Sequence, residues 1–392
     1  MNVPPSLFTR LVLTIALSIP CLAQTGGSGI IQEFAIAYPA SRPCQSHPNK
    51  SHESDSHAGS THEITYNQNN KTPPYYLWIT GQNDDTVARV GMDGKMKFYE
   101  LPPCSGPHGI DFDDAGQLWV SLEFAGKIVQ LLDRNGDIIK GKEYDVRLNC
   151  DTCAQKINTH PHGMAFGSDR KTLWYTGKGT GTIGKITPDG KVENFNLPTI
   201  GSVPIYIKAG PDRNMWFTEY VGNTIGRITP NGTVKEFPIP TNNSRPIAIV
   251  AEPGGGQAMW FTEAAGNKVG RIDMDGTITE FPVPKTQDNA ILAGLAFDSV
   301  GNLWVQQYVD VNNPKYDLVN NKPTGPVGRD YIIKIDKSIL MARQPDISKV
   351  AFTFYAVPTR ETVMHRIILG PDGNMWFTEM MSDKVGRLIT GT

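Results

Sequence analysis

Two short motifs could carry chemistry, Pro107-His108-Gly109 and Pro161-His162-Gly163. A neutral imidazole is both a metal ligand and a base near neutral pH, so two of them in matching contexts point to a divalent cation or to proton transfer. Two more histidines share their setting. His108, Ile205, Ala293 and His365 each stand 11 residues before a tryptophan, His162 stands one residue further back, and Ile247 precedes Trp260 after a lengthened turn. The segment Ser60-Thr61-His62-Glu63-Ile64-Thr65-Tyr66 parallels Gly106-Pro107-His108-Gly109-Ile110-Asp111-Phe112, which puts His62 at the same place despite a longer loop to Trp78. His160, two residues before His162, is a supporting partner for it. The chain has only 8 histidines, so His62, His108, His162 and His365 at one repeat position form a concentrated donor set. His47, His52, His57 and His62 also recur every five residues in the polar stretch 41–70. Such a tract can bind metal weakly, but without a hydrophobic period it reads first as a loop over the channel described next.

These residues need a scaffold that repeats, and the sequence supplies one. Asn214-Met-Trp-Phe-Thr-Glu219 returns as Ala258-Met-Trp-Phe-Thr-Glu263 and Asn374-Met-Trp-Phe-Thr-Glu379, each followed by Ile/Val-Gly-Arg at 225–227, 269–271 and 385–387. All 7 tryptophans, Trp78, Trp119, Trp174, Trp216, Trp260, Trp304 and Trp376, occupy one place in the unit. A unit of roughly 42 residues holding four short strands is the mark of a propeller blade. The prediction is therefore an all-β, seven-bladed β-propeller with four-stranded blades and insertions near 135–160 and 308–350. In the clearest copy, strand a is 247–251, b is 259–263, c is 269–273 and d is 277–283. The last repeat stops at strand c, 385–389, and 31–35 at the other end of the chain supplies the missing d strand and closes the ring. The histidines then open the innermost strands of blades seven, one, two and three and rim half of the channel, with Ile205, Ile247 and Ala293 on the other half. The tryptophans read as wedges between blades. Glu219, Glu263 and Glu379 read as scaffold carboxylates facing Arg227, Arg271 and Arg387 across the b–c hairpins.

Residues 1–23 read as a secretory signal peptide, Arg10 followed by a short apolar run and Cys21-Leu22-Ala23, leaving 24–392 as a single exported propeller domain. In that compartment the four remaining cysteines suggest two disulfides, Cys44–Cys104 and Cys150–Cys153. Sequons at Asn49, Asn70, Asn231 and Asn242 agree with a glycoprotein. With 37 Lys+Arg against 39 Asp+Glu there is no basic excess for nucleic acid, and no apolar run is long enough for a membrane span. A monomer is expected.

The Trp-Phe-Thr-Glu, Gly-Asn-Lys/Thr-Ile/Val-Gly-Arg and Glu-Phe-Pro-Ile/Val-Pro runs, closest at 200–284 and 363–390, resemble the virginiamycin B lyase (streptogramin B lyase) family. The resemblance implies a seven-bladed propeller that linearises a cyclic depsipeptide by metal-assisted elimination at its ester, with Mg²⁺ as cofactor. It implies active-site histidines in Pro-His motifs of two adjacent blades, a Glu two residues before the second and another four after the next Trp. With His108 and His162 as the pair, the glutamate positions hold His160 and Lys178. With His62 and His108 as the pair they hold Gly106 and Glu123. The functional expectation is a secreted, metal-dependent lyase that opens an ester or lactone of a small-molecule or cyclic ester substrate. In it, His108, His162 and Glu123 are catalytic, His62, His108, His162 and His365 are metal ligands, and His160 and Lys178 support them. The metal would be Mg, or a His-preferring ion such as Zn or Fe. The alternatives are a non-catalytic secreted propeller binding a glycan, peptide or protein partner, and a different metal-dependent enzyme on the same scaffold.

Overall fold

The computed structural model describes residues 25–26, 29–39, 59–134, 137–287, 289–309, 316–317, 322–323, 328–342 and 346–390. Seven antiparallel sheets of four strands form the seven blades. Their innermost strands are Thr61–Tyr66, Pro107–Phe112, Pro161–Phe166, Pro204–Ala209, Pro246–Ala251, Ala290–Phe297 and Met364–Leu369 for blades one to seven. Each innermost strand touches those of both neighbours, blade seven touching blade one, so the ring is closed. The closing strand is Ile30–Ala35, paired antiparallel with Lys384–Ile389 in the register Ile31 to Leu388 and Phe34 to Val385. Thr25–Gly26 adds a short parallel pairing to the outer strand of blade six, Phe352–Ala356. No helix among the described residues is long and apolar enough to cross a membrane.

Strand b is buried along its whole length in five blades, for example Met215–Glu219 and Met375–Glu379, and in all but one residue, Tyr76 or Tyr308, in the other two, because a blade interior is covered on both faces. Strand d alternates between covered and exposed residues, as in Val234–Pro238. The tryptophans sit on strand b, and each stacks on an aromatic ring of strand d in its own blade: Trp216 on Phe237, Trp260 on Phe281, Trp119 on Tyr144. The N-terminal strand completes this pattern, since Phe34 stacks on Trp376 at 5.8 Å. The indole N–H of Trp216, Trp304 and Trp376 donates to Asp212, Asp298 and Asp372 in the a–b turn, satisfying the one polar group a buried indole carries.

The register corrects one expectation. Glu219 opposes Thr224, and Arg227 opposes Trp216; Glu263 and Glu379 likewise oppose Lys268 and Lys384. A residue three places after the tryptophan must pair three places before the arginine in an antiparallel hairpin. The arginines instead lie over the indoles, Arg227 over Trp216 at 5.3 Å and Arg387 over Trp376 at 5.4 Å, and Arg387 pairs with Asp372 at 2.7 Å. The glycine of the Ile/Val-Gly-Arg run is required by packing, since a Cβ on Gly226 would lie 2.0 Å from the Phe217 ring opposite it.

The polar stretch 41–70 is also shorter than expected as a loop, because Thr61–Tyr66 is strand a of blade one. Residues 41–58, with Cys44, His47, Asn49, His52 and His57, lie outside the described residues, as do residues 1–24, where the signal peptide is expected. Insertion 135–160 contributes the outer strand Asp137–Asp145 and a loop pinned by Leu148 pairing with Ile157. The Cys150–Cys153 disulfide is formed there, with its Cα atoms 5.3 Å apart. Cys104 is disulfide-bonded; its expected partner Cys44 is among the residues not described. Asn231 and Asn242 are exposed.

Candidate functional site

Every innermost strand carries a β-bulge at its start. The register slips between Thr61 and Ile64, Pro107 and Ile110, Pro161 and Met164, Pro204 and Tyr206, Pro246 and Ile249, Leu292 and Leu295, and Met364 and Ile367. His62, His108, His162, Ile205, Ile247 and His365, each the second residue of its strand, and Ala293, the fourth of the longer strand Ala290–Phe297, lie in that slip. A bulge re-aims a side chain out of the alternation, and here it turns one residue per blade toward the channel mouth.

The position is fixed from behind by a strap that sequence reading missed. The hydroxyl after the Trp-Phe pair, or its equivalent, accepts the N–H of the third residue of its own strand a: Glu63 to Thr80, Gly109 to Ser121, Arg366 to Thr378. It then donates to a backbone carbonyl in the next blade. Thr80 reaches His108 O at 2.9 Å, Ser121 His162 O at 3.2 Å, and Thr378 His62 O at 2.7 Å. Thr218 and Thr262 do the same to Ile247 and Ala293. The Thr of Trp-Phe-Thr-Glu was the available signal, but only the ring closure shows that it acts across blades.

Four imidazoles meet at the rim. Ring centroids are 5.1 Å apart for His62–His108, 5.1 Å for His62–His365, 5.3 Å for His108–His365 and 3.6 Å for His108–His162. His62 and His108 are buried. Three rings face oxygen acceptors through Nδ1: His62 to Ser60 O at 2.7 Å, His108 to His162 O at 3.3 Å and His162 to Ile205 O at 2.9 Å. A carbonyl can only accept, so Nδ1 carries the proton in these three and Nε2 keeps its lone pair. His365 Nδ1 lies 3.4 Å from Glu63 Oε1. Burial pushes His62 down to about 4. Burial, then the neighbouring imidazoles, hold His108 well below its usual range; burial and Lys178 do so for His162, burial and Arg366 for His365. All four are neutral at physiological pH.

Glu123 is buried beside this cluster. Its two oxygens accept from Gln82 Nε2 at 2.6 Å and from Lys178 Nζ at 3.1 Å, and it lies with His108 and His162 in a group whose potential ligand atoms are all within 4.8 Å of one another. Lys178, at a position where the family resemblance implies a glutamate, therefore neutralises the carboxylate at the other. His160 sits in the turn below, its ring against Gly179 and its carbonyl accepting from Lys178 N at 3.2 Å. Glu63 and Arg366, adjacent to His62 and His365, were not singled out from the sequence. The guanidinium grips the Glu63 carboxylate through Nε at 2.7 Å and through its terminal nitrogen, and lies 3.8 Å over the Tyr206 ring.

The donor set does not suit Mg²⁺, which takes oxygen ligands in an octahedron and dehydrates reluctantly. The rim offers four imidazoles and one carboxylate already engaged by an ammonium group.

Fold and site together define a seven-bladed β-propeller with a histidine cluster at one channel mouth. The sequence profile of the virginiamycin B lyase family matches residues 148–312. Solved structures similar to the chain include a streptogramin B lyase, 25% identical with a TM-score of 0.68 over 92% of this chain and 97% of that one. Another is selenomethionine-substituted virginiamycin B lyase from Staphylococcus aureus, 27% identical with a TM-score of 0.67 over 92% of this chain and 99% of that one. A third is a catalytically inactive histidine-to-alanine variant of the Staphylococcus aureus enzyme with quinupristin, 26% identical with a TM-score of 0.66 and the same coverage. No curated protein matches the chain. The chain thus resembles virginiamycin B lyases in sequence and in fold.

Proposed function

We propose that the protein is a secreted, monomeric lyase of the streptogramin-lyase kind, opening an ester or lactone by elimination. The observation that carries this reading is the convergence of four neutral imidazoles, three with Nε2 freed by a backbone carbonyl on Nδ1, at one mouth of a lyase-like propeller. Export rests on the signal sequence at 1–23 and on the cysteine and sequon content. The resemblance implies Mg²⁺, which the donor set does not fit, so the chemistry is derived from the chain's own groups.

His162 is the base. Its Nδ1–H is held by Ile205 O, and its free Nε2 can take the proton from the carbon α to an acyl carbonyl. The electron pair forms a carbon–carbon double bond, and the ester C–O bond at the next carbon breaks to release a carboxylate. The imidazolium left behind is stabilised by Glu123, which Lys178 at 3.1 Å and Gln82 at 2.6 Å hold in place. Quinupristin, present in the Staphylococcus aureus variant structure, is the first substrate to try. Elimination yields a ring-opened product of unchanged mass, whereas hydrolysis adds one water. Binding without either product would favour a non-catalytic propeller that holds a glycan, peptide or protein partner, and the exchange of family glutamates for His160 and Lys178 is the feature that keeps this second reading open.

A further inference from the structure

We infer that His62, His108 and His365 form a three-imidazole site for a divalent transition ion of the zinc class, and that His162 stands outside it. The inference deepens the lyase reading by dividing the four histidines into ligands and base. Three observations carry it.

The first is metric. His62, His108 and His365 form a nearly equilateral triangle of ring centroids, 5.1, 5.1 and 5.3 Å on a side. An imidazole nitrogen sits about 2.0–2.1 Å from zinc and its ring centre about 1.1 Å beyond, so three such rings on a tetrahedral ion place their centres about 5.2 Å apart. An octahedral face would bring them to roughly 4.5 Å. One ring nitrogen from each histidine already lies within 4.8 Å of the other two, and ligation needs about 3.3 Å, a closure that rotation of the rings can supply.

The second is orientation. Metal-bound imidazoles present their remaining N–H to a carbonyl or carboxylate. His62 has Ser60 O at 2.7 Å and His108 has His162 O at 3.3 Å; His365 Nδ1 makes no hydrogen bond with the described residues but lies 3.4 Å from Glu63 Oε1, within reach of a ring rotation. Glu63 is itself clamped by Arg366, so its placement does not depend on the ion.

The third is the exclusion of His162. Its ring is tilted 33° to that of His108, with centroids only 3.6 Å apart. That spacing is well short of the about 5.2 Å that two imidazoles on one tetrahedral ion need, whereas the trio stands at 5.1, 5.1 and 5.3 Å. Three ligands leave a tetrahedral ion one position for substrate or water, and His162 stands beside His108 at the edge of that position.

The test uses the full mature chain, titrated with Zn²⁺, Co²⁺ or Mg²⁺ alone, with bound metal read by elemental analysis. One Zn²⁺ per chain is expected to survive desalting, and the Co²⁺ form should show the intense visible bands of four-coordinate cobalt. His62→Ala, His108→Ala and His365→Ala should each weaken Zn²⁺ retention at least tenfold, whereas His162→Ala should retain one equivalent. The cobalt spectrum is recorded on the unsubstituted protein, so it stands even where a variant fails to fold. Retention of Mg²⁺ in preference to Zn²⁺, a six-coordinate cobalt spectrum, or equal loss of zinc in His162→Ala would each overturn the assignment. The mass of the quinupristin product tests the lyase reading separately, since zinc can be bound whether or not that substrate is opened.

Discussion

The two halves of the channel rim share one backbone plan and differ first in the rim side chain of each blade. Blades one, two, three and seven present His62, His108, His162 and His365; blades four, five and six present Ile205, Ile247 and Ala293. On both sides the residue sits in the same bulge, and its carbonyl is held by the preceding blade's Thr or Ser at His62, His108, Ile247 and Ala293 alike. The lesson is that the scaffold does not depend on the site. Backbone hydrogen bonds and indole stacking make the ring, and the rim side chain is left to chemistry. A second difference lies three residues after the tryptophan, where Glu219, Glu263 and Glu379 of blades four, five and seven are buried, while the histidine-bearing blades one to three carry Gly81, Leu122 and Gly177. Burial and the nearby Glu236, Glu280 and Glu33 push these acids up, Glu219 to about 7, Glu263 and Glu379 to about 8.

If the halves are equivalent as scaffold, Trp119→Ala on the histidine side and Trp260→Ala on the apolar side should each cost about 3–5 kcal/mol. Both indoles stack on a strand-d ring, at 5.4 and 5.5 Å. Denaturant unfolding measures both, and a loss confined to one side breaks the equivalence.

The buried acids should make the apolar side and blade seven the alkali-sensitive part. Their folded-state pKa values lie above the unfolded value, so the protonated forms stabilise the fold. That contribution is complete below about pH 4.5 and is lost as pH rises through 7 to 8, on the order of 2–4 kcal/mol per group. Glu263→Gln should match the unsubstituted chain at pH 5 and exceed its stability at pH 9. Equal stability at pH 9 would show that Glu263 ionises freely.

Cutting the strap separates structure from chemistry. Thr80→Val and Thr262→Val should each cost about 1–2 kcal/mol, but only Thr80→Val, which frees His108 O, should also weaken zinc retention. The smallest effects concern the rim itself: His108→Ala, which removes a buried ring with its Nδ1 on His162 O, should cost about 1 kcal/mol, and Ile247→His should change stability by no more than that. The first should lose metal, and the second should gain none, because Ile205 and Ala293 on either side offer no donor.

Much of this was open to sequence alone. The spacing of seven tryptophans determined the blade count, and the missing last strand with its counterpart at 31–35 determined how the ring closes, because repetition is a one-dimensional signal. Counting back from the tryptophans also put His108, His162 and His365 at one position, and the likeness of 60–66 to 106–112 added His62. Tertiary structure decided what pairing and angle decide. The hairpin register set the arginines over indoles and left the glutamates buried as acids. The closed ring brought Glu63 of blade one against Arg366 of blade seven, 303 positions apart in the chain. The bulges separated a trio of rings spaced 5.1–5.3 Å apart from a fourth ring 3.6 Å from His108. A repeat fixes where a residue stands along its strand, but the direction of its ring depends on hydrogen bonds from a neighbouring blade that no local spacing encodes.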